Sequence, residues 1–256
     1  MRLSVLGCSG GIGGNACRTT SFLLGDDVLV DCGTGVGDLP LSAMARIDHV
    51  FLTHAHFDHI AYLPLLADSV SELRRHPITV HGRAETLQAL RDHVFNDRMW
   101  PDFTRIPSPG SPVLRMRPIV EGESVALPAG GHITALPAYH GIPALAYLID
   151  SGTGRLVFSG DTRLEQGFVA ALNGLGPFEH LIVETAFTDE QRRLATESSH
   201  LYPDALVRLL GALEASPRVH VSHLKPGLEA RIVEQIAAHR PRLQAEPLRR
   251  GDVIEF

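Results

Sequence analysis

Four apolar segments of this 256-residue chain each run into a histidine or an aspartate, and few folds can gather four such ends at one place. The densest end is Thr53-His54-Ala55-His56-Phe57-Asp58-His59, three imidazoles and one carboxylate within six residues. It follows Asp48-His49-Val50-Phe51-Leu52, which reads as a β-strand, and precedes residues 60–75, whose apolar spacing predicts a helix. The other ends are His140 after residues 133–138, Asp161 after 155–160 and His223 after 218–222. Residues two apart in extended chain project to one side, so His54 and His56 can chelate one cation while Asp58 and His59 face a second. Imidazole and carboxylate donors without a thiolate favour Zn2+ and also admit Mn2+ or Fe2+. Two divalent ions about 3.5–4 Å apart can bridge a water, lower its pKa toward neutrality and clamp the oxygens of a displacement.

Around these ends the chain alternates strands and helices. Short apolar runs between glycine-rich turns predict strands over 3–7, 21–24, 28–31, 49–53, 78–81, 113–118, 124–127, 133–136, 144–149, 155–159, 180–184 and 219–222. Helices are predicted over 84–95, 164–172, 189–196, 203–214 and 227–239. Two strand-rich halves with helices to cover their outer faces fit an α/β (α+β) protein built as a four-layer αββα sandwich. At 44% hydrophobic residues the chain can bury a full core, and one domain over 1–256 is expected.

The run at 53–59, the lone His140, Ser159-Gly160-Asp161-Thr162 and Ser222-His223-Leu224-Lys225-Pro226 together resemble the metallo-β-lactamase superfamily. The resemblance implies that His54, His56 and His140 hold one metal, that Asp58, His59 and His223 hold the other, and that Asp161 bridges them. Further blocks are similar to the class II 3',5'-cyclic-nucleotide phosphodiesterases: Leu6-Gly7-Cys8-Ser9-Gly10-Gly11, Asp31-Cys32-Gly33-Thr34-Gly35-Val36-Gly37-Asp38-Leu39, Leu63-Pro64-Leu65-Leu66-Ala67-Asp68, Trp100-Pro101-Asp102-Phe103-Thr104, Glu184-Thr185-Ala186-Phe187 and His223-Leu224-Lys225-Pro226. That likeness implies a homodimeric enzyme in which a hydroxide activated by two divalent metals opens the 3' phosphoester bond of cAMP or cGMP, giving a nucleoside 5'-monophosphate. The chain departs from the family pattern at Phe57, commonly Leu, and at Tyr62, commonly small. Both bear on the shape of the pocket beside the metals rather than on the ligands.

Within this reading the catalytic residues are His200, Glu184 and Asp58, the last also a ligand. His200, in Glu197-Ser198-Ser199-His200-Leu201, is the candidate general acid for the leaving alkoxide, and Glu184 is placed to orient it. Candidate substrate contacts are Arg18, Trp100, Phe103 and Tyr139. Trp100 and Phe103 lie in a proline-rich stretch, 96–112, where an aromatic ring can either stack on a purine or pack in the fold. In the glycine-rich opening Gly7 to Asn15, Gly11-x-Gly13-x-x-Ala16 formally matches a dinucleotide fingerprint, but a strand rather than a helix follows it, so it reads as a flexible connection near the metal mouth.

Composition excludes other classes. The net charge of −6 weighs against nonspecific nucleic-acid binding. Cys8, Cys17 and Cys32 form no C-x-x-C pair and read as buried packing residues. No leader or membrane-length apolar run is seen, so a cytoplasmic protein is expected, with a small-molecule substrate and no membrane partner. The rival readings are an RNase Z-type tRNA 3'-end endonuclease, a thioester or lactone hydrolase, and a noncatalytic nucleotide-binding protein. The remaining histidines, among them His49, His81, His180 and His220, read as structural or solvent-facing.

Overall fold

The structure, a computed structural model, describes residues 1–256. The first half of the chain supplies β1 (Arg2–Gly7), β2 (Ser21–Leu24), β3 (Val28–Val30), β4 (His49–Phe51) and β5 (Ile78–Gly82). A two-residue hairpin, β6 (Pro107–Ser108) and β7 (Ser111–Pro112), leads into β8 (Leu114–Pro118). The second half supplies β9 (Ser124–Ala126), β10 (His132–Tyr139), β11 (Pro143–Asp150), β12 (Arg155–Phe158), β13 (His180–Glu184), β14 (Arg218–Ser222), β15 (Ala245–Pro247) and β16 (Val253–Glu255). Helices are α1 (Leu41–Met44), α2 (Phe57–Ile60), α3 (Leu63–Val70), α4 (Ala84–His93), α5 (Gln166–Gly174), α6 (Arg192–Glu197), α7 (Pro203–Ala212) and α8 (Glu229–Ala238).

Two seven-stranded sheets result, in the orders β16-β1-β2-β3-β4-β5-β8 and β15-β14-β13-β12-β11-β10-β9. Each is antiparallel on one side and parallel on the other: β3, β4, β5 and β8 run parallel in the first, and β12 to β15 in the second. Three apolar cores define four layers. Leu3, Phe22 and Phe51 of the first sheet meet Ile133, Tyr147 and Phe158 of the second in the central core. Leu29, Val50 and Val80 pack outward on Leu63 and Leu87 of α3 and α4. Leu148, Val157 and Leu181 pack outward on Phe168, Leu206 and Ile232 of α5, α7 and α8. Full burial of one such side chain stabilises by roughly 1.5–3 kcal/mol, so the alternation of faces along each strand fixes the register.

The αββα sandwich is therefore as expected, with local departures. The helix predicted over 60–75 is split into α2 and α3. Pro64 sits in the first turn of α3, where its missing N–H is harmless, and the Tyr62 N–H turns aside to the Cys32 carbonyl at 3.0 Å. The helix predicted over 189–196 opens as a 3-10 turn, Asp189–Gln191, under a Thr188/Gln191 capping box before α6. α1, β15, β16 and the β6–β7 hairpin were not predicted; their apolar runs are too short for a period to show. No helix is long and apolar enough to cross a membrane.

Candidate metal centre

The C-terminal ends of β4, β10, β12 and β14 converge at one edge of the sandwich, where open parallel sheets carry their sites. Two hydrogen bonds fix the motif turn against the second sheet. The Leu145 N–H donates to the Thr53 carbonyl at 2.9 Å, and the buried Tyr147 hydroxyl donates to the Leu52 carbonyl at 2.7 Å.

Three imidazole nitrogens meet here. His56 Nδ1 lies 3.0 Å from His54 Nε2 and 3.1 Å from His140 Nε2. The other nitrogen of His140 is 3.0 Å from the Ser199 carbonyl, which can only accept; Nδ1 is therefore the donor, and the Nε2 lone pair faces the cluster. Beside this trio, Asp161 reaches both halves of the site. Its Oδ2 is 3.7 Å from His54 Nε2 and 3.4 Å from His59 Nε2, and its Oδ1 is 3.3 Å from His223 Nδ1. Asp58 Oδ2 completes the second half, 3.9 Å from His59 Nε2 and 3.7 Å from His223 Nε2. Donor atoms of His54, His56 and His140, and those of Asp58, His59 and His223, lie within 4.8 Å of one another in each set.

The residues fit metal ions on the structure's own terms. Nε2 of His59 and Nε2 of His223 are buried without any hydrogen-bond partner, a costly condition that a bound cation removes. Burial holds His54 well below, and His56 and His140 below, the ordinary imidazole value, which favours the neutral form that coordinates. His59 behaves oppositely. Burial lowers it, but Asp161 and Asp31 together push it well above, so a proton and a cation compete for its Nε2. The His/Asp clusters are suited to binding metal ions.

Two partners were not predicted in their roles. Asp31, at the end of β3, is fully buried; its Oδ2 is 2.7 Å from His59 Nδ1, and its Oδ1 accepts from the Thr53 N–H at 2.8 Å. Ser199 supplies the carbonyl that orients His140. Asp31, Ser199 and His223 have φ of 57°, 59° and 59°, left-handed conformations unfavourable to non-glycine residues. Such strain clusters where the surrounding structure over-determines a site. For Asp31 the signals in the chain are its position at a strand end, shared with the predicted ligands, and its place in the family-like block Asp31-Cys32-Gly33-Thr34-Gly35, neither of which gives its role.

The structure brings His200 and Glu184 into the same cluster. His200 Nδ1 is 2.9 Å from Glu184 Oε1 and 4.0 Å from Asp161 Oδ2, with Glu184 fully buried at the end of β13. Burial raises the Glu184 carboxyl, and Glu184 with Asp161 raises His200 against its own burial. Tyr139, the last residue of β10, adjoins His140, and both line a cavity of about 350 Å3. The other three predicted contacts are not brought to the cluster. Arg18 is held by Asp38, with Nε to Oδ2 at 2.7 Å and Nη2 to Oδ1 at 3.2 Å. Phe103 is buried in the outer core of the first sheet, and Trp100 packs against that core. Their packing reading is the one the geometry favours. The glycine-rich loop lies against the centre, with the Gly10 N–H donating to the Leu224 carbonyl at 3.0 Å, and no helix begins there.

Comparison with known proteins agrees with this architecture. The chain is 28% identical over 156 residues to the Ribonuclease Z of Haloarcula marismortui, covering 59% of this chain and 47% of that protein. It is 28% identical over 212 residues to a 3',5'-cyclic-nucleotide phosphodiesterase of Aliivibrio fischeri, covering 72% and 61% respectively. The matched segments thus span about half to three fifths of those relatives. The crystal structure of the metallo-beta-lactamase fold protein YhfI from Bacillus subtilis superposes with a TM-score of 0.77 at 21% identity, covering 100% of this chain and 99% of that one. The family model described as the beta-lactamase superfamily domain matches residues 26–240, and the chain belongs to that superfamily, in its metallo-β-lactamase form.

Proposed function

We propose that this chain is a metal-dependent phosphodiesterase that opens the 3' phosphoester bond of 3',5'-cyclic nucleotides, cAMP or cGMP, to give nucleoside 5'-monophosphates. The observation that carries the reading is the His200–Glu184 pair, 2.9 Å apart at the edge of the His/Asp cluster. Nδ1 of His200 is engaged by Glu184, which leaves Nε2 to hand a proton to the 3' oxygen as its bond to phosphorus breaks. Glu184 fixes the tautomer and the ring orientation. His54, His56 and His140 would hold one divalent ion and Asp58, His59 and His223 the other, with Asp161 facing both. Such ions, zinc first among them for this donor set, supply positive charge to a phosphate and lower the pKa of a water.

The match to the Aliivibrio fischeri phosphodiesterase extends over 72% of the chain, and a net charge of −6 suits a small substrate better than a polyanion. The Ribonuclease Z relatives favour a second reading, cleavage at a tRNA 3' end. Purified enzyme of known metal content, offered cAMP, cGMP, a precursor tRNA and a thioester, separates them. Chelator-sensitive release of 5'-AMP or 5'-GMP alone supports the first reading. Cleavage of the tRNA or the thioester with cyclic nucleotides untouched overturns it.

A further inference from the structure

In the phosphodiesterase reading one phosphate belongs at the His/Asp cluster, and a further cavity shares His200 with it. A cavity of about 740 Å3 is lined by both His200 and Arg163 and runs between α5 and α7. Gln166, Val169 and Asn173 recur at i, i+3 and i+7 on α5, and Ala205, Arg208 and Ala212 do so on α7, so each helix presents one face to it. Asn173 joins the two helices by donating from Nδ2 to the Ala212 carbonyl at 3.0 Å. At 1.5 Å rise per residue, Gln166 to Asn173 spans about 10 Å, enough for one nucleotide beyond the cluster.

The groove carries two cations, each with a carboxylate beside it. Two guanidinium groups, Arg163 and Arg208, line it against one carboxylate, Glu165, in a protein of net charge −6. Arg163 is held by Glu165 at 2.9 Å and its Nη1 is 3.5 Å from Ser199 Oγ, one residue before His200. Arg208 is freer: its side chain is 64% exposed, and Asp204, at 3.8 Å, is beyond hydrogen-bond distance. A cyclic mononucleotide has a single phosphate, which the cluster takes, and it leaves Arg208 with only the Asp204 carboxylate at 3.8 Å.

We propose that the groove between α5 and α7 binds a second phosphate, carried by the leaving fragment of the substrate, so that 5'-phosphorylated and cyclic dinucleotides are substrates beside the cyclic mononucleotides. This rests on the phosphodiesterase reading, in which His200 faces the departing 3' oxygen and the groove beyond it holds the nucleotide that carries that oxygen. In a 5'-phosphorylated linear diadenylate (pApA) this fragment bears its phosphate on the 5' carbon. Water adds its oxygen to the internal phosphorus, the P–O3' bond breaks, a proton passes to O3', and two molecules of 5'-AMP form. A 3',5'-cyclic dinucleotide offers its second phosphate to the same groove.

The test compares metal-loaded enzyme on pApA, on ApA, which lacks the 5'-phosphate, on a cyclic dinucleotide and on cAMP. The kcat/KM for pApA is expected to exceed that for ApA by about tenfold, as one charge-assisted contact can give, mostly through KM. Arg208→Gln should bring the ratio toward one. Preference for the cyclic dinucleotide over ApA extends the assignment to internal phosphates, and its absence confines it to terminal ones. Equal rates on pApA and ApA, or a ratio unmoved by both Arg208→Gln and Arg163→Gln, overturns the groove assignment while cAMP turnover keeps the phosphodiesterase reading. Failure to cleave any phosphodiester overturns that reading instead. Calorimetric titration with 5'-AMP and with adenosine then decides the groove separately: a 5'-AMP preference lost in Arg208→Gln upholds it, and equal binding overturns it.

Discussion

The Nδ1 atom of His59 and the Oδ2 atom of Asp31 lie 2.7 Å apart, and neither side chain is exposed to solvent. With Asp31 accepting at Nδ1, the other ring nitrogen of His59 is directed at the cluster, where it makes no hydrogen bond and has the Asp161 carboxylate 3.4 Å away. Asp31 also accepts from the Thr53 main chain, so a single carboxylate orients one candidate ligand and anchors the turn that carries three others.

Asp31→Asn should therefore weaken metal binding while leaving every candidate ligand in the chain. An amide in this place can present its N–H to His59 and move the imidazole proton to the nitrogen that faces the cluster. Loss of such an orienting partner typically costs 10–100-fold in metal affinity. Titration with zinc in a competing chelator measures it, and an unchanged affinity would show that Asp31 serves the fold alone.

The candidate ligands and the candidate acid should separate in their effects. His56→Ala removes the nitrogen shared by two close imidazole contacts, at 3.0 and 3.1 Å, and is expected to lose metal and activity together. His200→Ala should retain metal and turn over about 10²–10⁴-fold more slowly, the usual worth of general acid catalysis. Metal analysis beside kcat checks both, and equal metal loss in the two variants would refute the separate role of His200.

Much of this centre is legible in the chain because strand ends do the positioning. His54, His56, His59, His140, Asp161 and His223 each follow an apolar run; the parallel strands β4, β12 and β14, and β10, which runs in the direction of β12 across the antiparallel β11, deliver these ends to one edge. What was not legible depended on long-range partners. Asp31 opens a family-like block, but its partners His59 and Thr53 appear only when β3 is laid beside β4. Ser199 acts through its carbonyl, which no side-chain pattern reveals. Arg18 and Phe103 have side chains suited to a substrate, but Asp38 and the outer core claim them first. The break between α2 and α3 is set by a hydrogen bond to Cys32, in the loop after β3.

Gly10→Ala should damage the centre without unfolding the sandwich. A Cβ at this position collides with the His223 carbonyl oxygen and comes within 2.9 Å of His223 Cδ2, while the Lys225 ammonium holds the Gly10 carbonyl at 2.6 Å. The loop cannot retreat without breaking that contact and the bond to Leu224. Metal affinity is expected to fall at least several-fold, with an overpacking cost of about 1–3 kcal/mol. Far-UV circular dichroism and zinc titration together check this; wild-type affinity would mean the loop can shift freely.

Acid stability should depend on a histidine outside the candidate ligand set. His81, fully buried on β5, stacks on Phe51 with centroids 4.3 Å apart, and its Nε2 is 3.0 Å from His49 Nδ1 on β4. Burial first, then the neighbouring His49 and Arg117, lower its pKa from the ordinary 6.5 to about 3. The folded state thus keeps His81 neutral where the unfolded chain takes up a proton. Between these two values the unfolded state binds more protons, so stability rises with pH and is lost as pH falls below 6.5. At pH 5 the loss is on the order of 1–2 kcal/mol, from a slope of at most 1.36 kcal/mol per pH unit. His81→Phe removes the titrating group and keeps a flat ring on Phe51. Urea unfolding of chelator-treated protein at pH 7.5 and 5 should show a smaller acid loss in the variant, and chelation keeps metal release out of the comparison. An identical loss in both proteins would place the acid sensitivity elsewhere.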